Sequence, residues 1–130
     1  MPQKTTVKCI AYDGQDSIYT VRAFMPMCIR NQMLNIQADI EAEKLPATAL
    51  QEYLVTSMTL DPRKITKELY NGEDTSADEM DQLFVEIMRI AGLYIDPTLL
   101  AGKSPEERTA IAQKYRQDRM EELKKKQTKL

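Results

Sequence analysis

The sequence predicts an α+β, mainly helical fold, in which an N-terminal β-hairpin packs on a bundle of four to five helices. Two observations lead to this prediction. Apolar and polar side chains alternate along two short N-terminal segments, and the rest of the chain carries apolar residues at helical spacing. A chain of 130 residues with 42% hydrophobic residues is long enough to bury a core of its own.

Two alternating segments predict the hairpin. Val7 and Cys9 mark the inner face of a strand over residues 5–12, and Tyr19 and Val21 mark that of a second strand over residues 17–24. Asp13-Gly14 lies between them, and Asp-Gly is a strong signal for a tight hairpin turn because glycine tolerates positive φ. A lone hairpin is only marginally stable, so it must pack on helices or add strands from another copy.

Three helices are predicted next. Ile29, Met33, Ile36 and Ile40 recur at spacings of four, three and four, which is typical of an amphipathic helix that ends before Leu45-Pro46. A second helix is expected over residues 48–59. After the break at Asp61-Pro62, a short helix over residues 63–70 should end at Asn71-Gly72.

The fourth helix has the clearest signals. Ser76 followed by Glu79 predicts a capping box, in which each residue caps the backbone of the other. Leu83, Phe84 and Ile87 belong to a wide apolar stripe and are expected to be deeply buried. Gly92 is the expected stop.

A basic tail follows the compact part of the chain. Residues 1–102 carry 9 Lys/Arg and 15 Asp/Glu, whereas residues 103–130 carry 9 and 5. We therefore divide the chain into a compact domain (1–102) and a basic C-terminal helical tail (103–130), whose helix should begin at Pro105. The thin apolar stripe Ile111, Tyr115 and Leu123 predicts a segment that is mobile alone and binds a partner through these residues.

The composition argues against enzymatic catalysis and against metal binding. The chain has no histidine and no tryptophan, and Cys9 and Cys28 lack metal-ligand spacing, so we interpret them as two small buried hydrophobic residues. The acidic residues around Asp78 do not fit a calcium loop and are interpreted as helix capping and a solvated face. We expect no enzymatic activity, no catalytic residue, no metal and no cofactor. The methionines around Pro26 are interpreted as core, with an adaptable binding surface as the alternative.

Two stretches carry a family resemblance. Residues 65–72 (ITKELYNG) form a short predicted helix that ends in a glycine turn. Residues 79–88 (EMDQLFVEIM) form an apolar stripe that closes at AGL (91–93). Together with the preceding hairpin, this order of elements resembles the tail assembly chaperones of long-tailed, siphovirus-type bacteriophages of Gram-positive hosts. The likeness covers about residues 5–95 and is one of pattern, so it transfers no ligand or catalytic residue.

The resemblance implies a non-enzymatic role. Such chaperones coat the tape measure protein and keep it soluble until the tail tube assembles, and they are not retained in the mature virion. The implied partners are the tape measure protein and, secondarily, the tail tube protein, with self-association as a further expectation. The implied location is the host cytoplasm, in keeping with the lack of an apolar leader after Met1 and of a membrane-spanning run. Lysine codons at residues 124–126 would suit the frameshift that lengthens some family members.

Two alternatives stay open. The segments 48–59 and 63–70 are spaced like a helix-turn-helix, which would make the chain a small nucleic-acid-binding regulatory protein. The acidic balance of residues 1–102 argues against nucleic acid as a partner. The other alternative is a different phage morphogenesis adaptor.

Overall fold

The computed structural model describes residues 3–93 and 97–128, which form a mainly helical α+β fold. The chain divides into two compact units, Met1–Ala91 and Gly92–Leu130, which we call the body and the tail unit. The body holds the sheet and four helices, and the tail unit holds two helices. The division of the sequence at residues 102 and 103, which rests on charge, stays a prediction.

The predicted hairpin is confirmed and gains a third strand. Strands β1 (Lys4–Ile10) and β2 (Asp16–Arg22) pair antiparallel, with Gly14 at φ +83° in the turn between them. Strand β3 (Thr59–Leu60) pairs antiparallel with β2, so the sheet order is β1-β2-β3. The prediction that the second helix includes residue 59 is wrong, because Thr59 pairs with Val21 of β2.

The outer edge of β1 meets a side chain of the fourth helix. The N–H of Ile10 donates to Oε1 of Gln82 at 2.8 Å, and Nε2 of Gln82 donates to the carbonyl of Ile10 at 2.9 Å. The amide of Gln82 therefore takes the position that a neighbouring strand's peptide group would occupy.

Four helices complete the body. They are α1 (Met27–Glu41), α2 (Ala49–Met58), α3 (Lys67–Tyr70) and α4 (Ala77–Ile90). Helix α3 is shorter than predicted, because Thr66 is its N-cap and accepts from the N–H of Leu69 at 3.1 Å. Helix α4 begins after Ser76 as predicted, and the backbone turns at Gly92 with φ +72°.

The core lies between the inner face of the sheet and helices α1, α2 and α4. Leu83 and Ile87 are fully buried, as predicted. They pack in a core with buried residues of the strands and the other helices, including Val7, Cys9, Tyr19, Val21, Met33, Leu54 and Met58.

Three expectations about burial are wrong. Phe84 is only half-buried, because it lies about 100° around α4 from Leu83, at the border of the buried stripe. Cys28 is exposed, since it lies on the outer side of the first turn of α1 while Ile29 faces the core. Met27 is 69% exposed, because α1 begins at this residue before its apolar face reaches the core.

The tail unit contains α5 (Pro97–Leu100) and α6 (Pro105–Thr128). Ser104 caps α6 as predicted, since its Oγ accepts from the N–H of Glu107 at 3.2 Å. Helix α5, of four residues, has no counterpart among the elements that the sequence predicts.

Candidate functional site

A buried polar network lies where β2 meets the first turn of α4. Glu79 is 9% exposed, and its Oε2 accepts from Ser17 Oγ at 2.9 Å and from the hydroxyl of Tyr19. The predicted capping box is therefore only half formed. Ser76 Oγ does accept from the N–H of Glu79 at 3.3 Å, but the Glu79 carboxylate is engaged with the sheet.

Arg63 completes this polar network. Its Nη1 donates to Ser17 Oγ at 2.7 Å, and its Nη2 donates to the Tyr19 hydroxyl at 3.2 Å. The guanidinium lies 4.1 Å from the centre of the Tyr19 ring, and Nη2 is 3.9 Å from Glu79 Oε2. A buried carboxylate needs such partners to offset its lost hydration. The network joins three separate segments, and we assign it a role in holding the fold.

The thiol of Cys9 lies in the same region and is 1% exposed. Its pKa is raised to about 11, mainly by burial and further by the charges of Glu79 and Glu86, while the charge of Arg63 opposes the rise. A thiol is nucleophilic as the thiolate, so Cys9 is an inert core residue at neutral pH.

A groove of ≈ 420 Å³ opens where the ends of α2, α3 and α4 meet, and we call it the body groove. Tyr70 and Met80 give it an apolar floor, and Gln51 and Asp81 join across it, with Gln51 Nε2 donating to Asp81 Oδ1 at 2.9 Å. Burial raises the pKa of the Tyr70 phenol, a hydrogen bond with Gln51 opposes this, and the charges of Asp81 and Glu52 add to the rise. The groove is thus apolar inside and acidic around it.

A second depression, of ≈ 380 Å³, lies within the tail unit between α5 and α6, and we call it the tail depression. Leu99 of α5 and Ile111 and Tyr115 of α6 line it, with Lys103, Lys114 and Asp118 also in its lining. Leu99 is 54% exposed, while Ile111 and Tyr115 are half-buried. Four residues separate Ile111 and Tyr115, which brings both to the same side of α6.

The third predicted partner-binding residue lies elsewhere on α6. Leu123 is about 120° around the helix from Ile111 and is not part of the tail depression. It shares another side of α6 with Met120, and their exposed fractions are 42% and 55%. We call this side, made of Arg116, Met120 and Leu123, the outer face of α6. The structure thus brings together two of the three predicted residues, Ile111 and Tyr115. It adds Leu99, for which the only hint in the sequence is the apolar pair Leu99-Leu100.

The comparisons with known proteins add no relative: no family model, no curated protein and no solved structure matches this chain. Among residues 3–93 and 97–128, no helix is long and apolar enough to cross a bilayer. Within the same ranges, no group of three or more histidine, cysteine, aspartate or glutamate side chains is placed to hold a metal ion.

Proposed function

We propose that this protein is a non-enzymatic binding protein of the tail assembly chaperone type, which coats a tape measure protein and keeps it soluble before the tail tube assembles. The observation that carries the proposal is the tail depression, where Leu99, Ile111 and Tyr115 leave apolar surface accessible on a helical segment with little other apolar surface. The sequence resemblance supplies the identity of the partner. The protein would act in the host cytoplasm and be absent from the mature virion.

The tail depression suits an apolar side chain on a helical partner. Amphipathic helices bind grooves through apolar anchors, and burying one such anchor contributes about 1.5–3 kcal/mol. One anchor alone binds weakly. A long partner with many anchors would therefore be coated by many copies, each readily released when the tail tube replaces it.

The helix-turn-helix alternative has less support. Helix α3 is four residues long, and β3 and residues 61–66 lie between α2 and α3. A helix-turn-helix joins its helices by a turn of about three or four residues and places a longer second helix in the major groove.

Co-expression with a tape measure protein tests the proposal. The wild-type chain should increase the soluble fraction of a long tape measure protein, and the two should co-purify. Tyr115→Ala removes the largest side chain of the tail depression and should lower the co-purified amount roughly tenfold, the equivalent of ~1.4 kcal/mol. Quantitative gel densitometry of the bound and soluble fractions gives both values.

Gln113→Ala is the matched control, because Gln113 is exposed on the same helix and is not part of the tail depression. It should behave as wild type. A tape measure protein that is equally soluble without the chain, or a Tyr115→Ala variant that binds as well as wild type, would contradict the proposal.

A further inference from the structure

We infer that copies of this chain associate head to tail, with the outer face of α6 of one copy seated in the body groove of the next. This inference concerns contacts between copies and uses neither Ile111 nor Tyr115. It therefore goes beyond the proposed function and can fail independently of it.

The guest surface is a basic amphipathic side of α6. At 3.6 residues per turn, Met120 and Leu123 lie within about 60° of each other, and the exposed Arg116 lies one turn before them on the same side. Lys124 and Glu121 line a shallow depression together with Arg116 and Met120, whereas Asp118 and Glu122 fall on other sides of the helix. Two exposed apolar side chains thus lie beside two bases, Arg116 and Lys124, and one acid, Glu121.

The host surface has the opposite charge. Asp81 lines the body groove. Glu52 lies close enough to the groove residue Tyr70 for its charge to raise the pKa of the Tyr70 phenol. Glu73 and Asp74 are exposed between the groove residues Tyr70 and Thr75, and Asp78 is exposed at the start of α4. Two bases lie near these acids: Lys67 is 4.0 Å from Glu52, and Lys8 lines a neighbouring depression that Asp81 also lines.

Shape and charge together select a second copy as the occupant. The apolar floor of Tyr70 and Met80 can accept Met120 or Leu123, while the surrounding carboxylates attract Arg116 and Lys124. The charge division of the whole chain agrees, since residues 103–130 carry an excess of base and residues 1–102 an excess of acid. Every copy brings both surfaces at equal concentration.

Sedimentation velocity over a concentration series tests the inference. The wild-type full-length chain should self-associate, and the association should weaken as salt rises, because the interface is partly electrostatic. Leu123→Glu on the guest surface and Asp81→Lys on the host surface should each raise the dissociation constant about tenfold or more. Both positions are exposed, so circular dichroism should show folded protein.

The matched controls are Glu106→Lys and Asp16→Lys, which change charge at exposed positions that belong to neither surface and should associate as wild type. Mixing the two variants gives the most specific test of the interface. A copy with Asp81→Lys keeps its guest surface, and a copy with Leu123→Glu keeps its host surface, so the mixture should form one-to-one pairs. A wild-type chain that stays monomeric at all concentrations, or a mixture without pairs, would overturn the inference.

Discussion

At the scale of the single residue, Glu79 both takes part in the N-cap of α4 and accepts hydrogen bonds from the sheet. Its backbone N–H is capped by Ser76 at the start of α4, and its carboxylate accepts from Ser17 and Tyr19 of β2. The polar network therefore fixes the position of α4 against the sheet. Removing the carboxylate would leave buried hydroxyl groups without an acceptor, which costs more than removing an exposed acid.

We expect Glu79→Ala to lower the free energy of unfolding by about 1–3 kcal/mol more than Asp78→Ala does. Both acids lie in the first turn of α4, so both variants lose the same favourable interaction with the helix dipole, about 0.3–1 kcal/mol. Asp78 is exposed and accepts one exposed hydrogen bond, from Gln82 Nε2 at 3.3 Å, so Asp78→Ala reports the dipole contribution together with that weak bond. Urea denaturation measures the difference, and equal midpoints for the two variants would show that the polar network adds nothing to stability.

The two cysteines should differ sharply in reactivity. Cys9 is buried with a pKa raised to about 11, so at pH 8 only about one thiol in a thousand would be thiolate even if it were accessible. Cys28 is exposed. Iodoacetamide at pH 8 should therefore label native protein once, at Cys28, and label Cys9 only after unfolding. Peptide mass spectrometry locates the label, and rapid labelling of native Cys9 would place that thiol at the surface.

At the scale of the elements, α4 and α6 differ in how much of their surface is buried. Helix α4 buries Met80, Leu83 and Ile87, whereas the described side chains of α6 are exposed or half-buried. Helices take most of their stability from packing, so a 24-residue helix with so few apolar contacts should open readily.

We therefore expect weak amide-exchange protection over residues 108–122 in a dilute, verified monomer, and strong protection around Leu83 in the same sample. Protection of residues 108–122 should rise when the concentration increases or when the tape measure protein is added. Exchange read by mass spectrometry gives both regions at once. Equal protection of α4 and α6 in the monomer would show that α6 is stable without a partner.

The elements that sequence reasoning predicts well are those with local signals. Asp13-Gly14 and the alternation of Tyr19 and Val21 define the hairpin, and Ser76 marks the start of α4. Strand β3 escapes prediction because its two residues become a strand only through pairing with Thr20 and Val21. No local pattern reveals that contact.

Among the candidate sites, too, local features can be predicted from the sequence and long-range contacts cannot. The four-residue spacing of Ile111 and Tyr115 is visible in the sequence, and so is the angular offset of Leu123 once helical geometry is applied. The partners of Glu79 are not visible, since Ser17 and Tyr19 are 62 and 60 residues away in the chain. The body groove is equally hidden, because its lining comes from three helices and the loops beside them.

At the scale of the whole molecule, the distribution of charge matters more than the net charge of −2. The body groove and the outer face of α6 are different surfaces of one chain, so the inferred contact is heterologous. Heterologous contacts build rings or open chains, whereas two-fold symmetric dimers bury the same patch on both copies. An open chain of copies would match a long helical partner of any length.

The two hydrogen bonds between Gln82 and Ile10 have a consequence for the inferred association of copies. An open β-strand edge is a template on which further strands can add, and the end point of such growth is insoluble fibrils. The amide of Gln82 already occupies the backbone groups of Ile10, and Lys4 and Lys8 put charge along the rest of β1. Copies that come close together are thereby hindered from pairing through the edge of β1, while helical surfaces remain available for reversible contact.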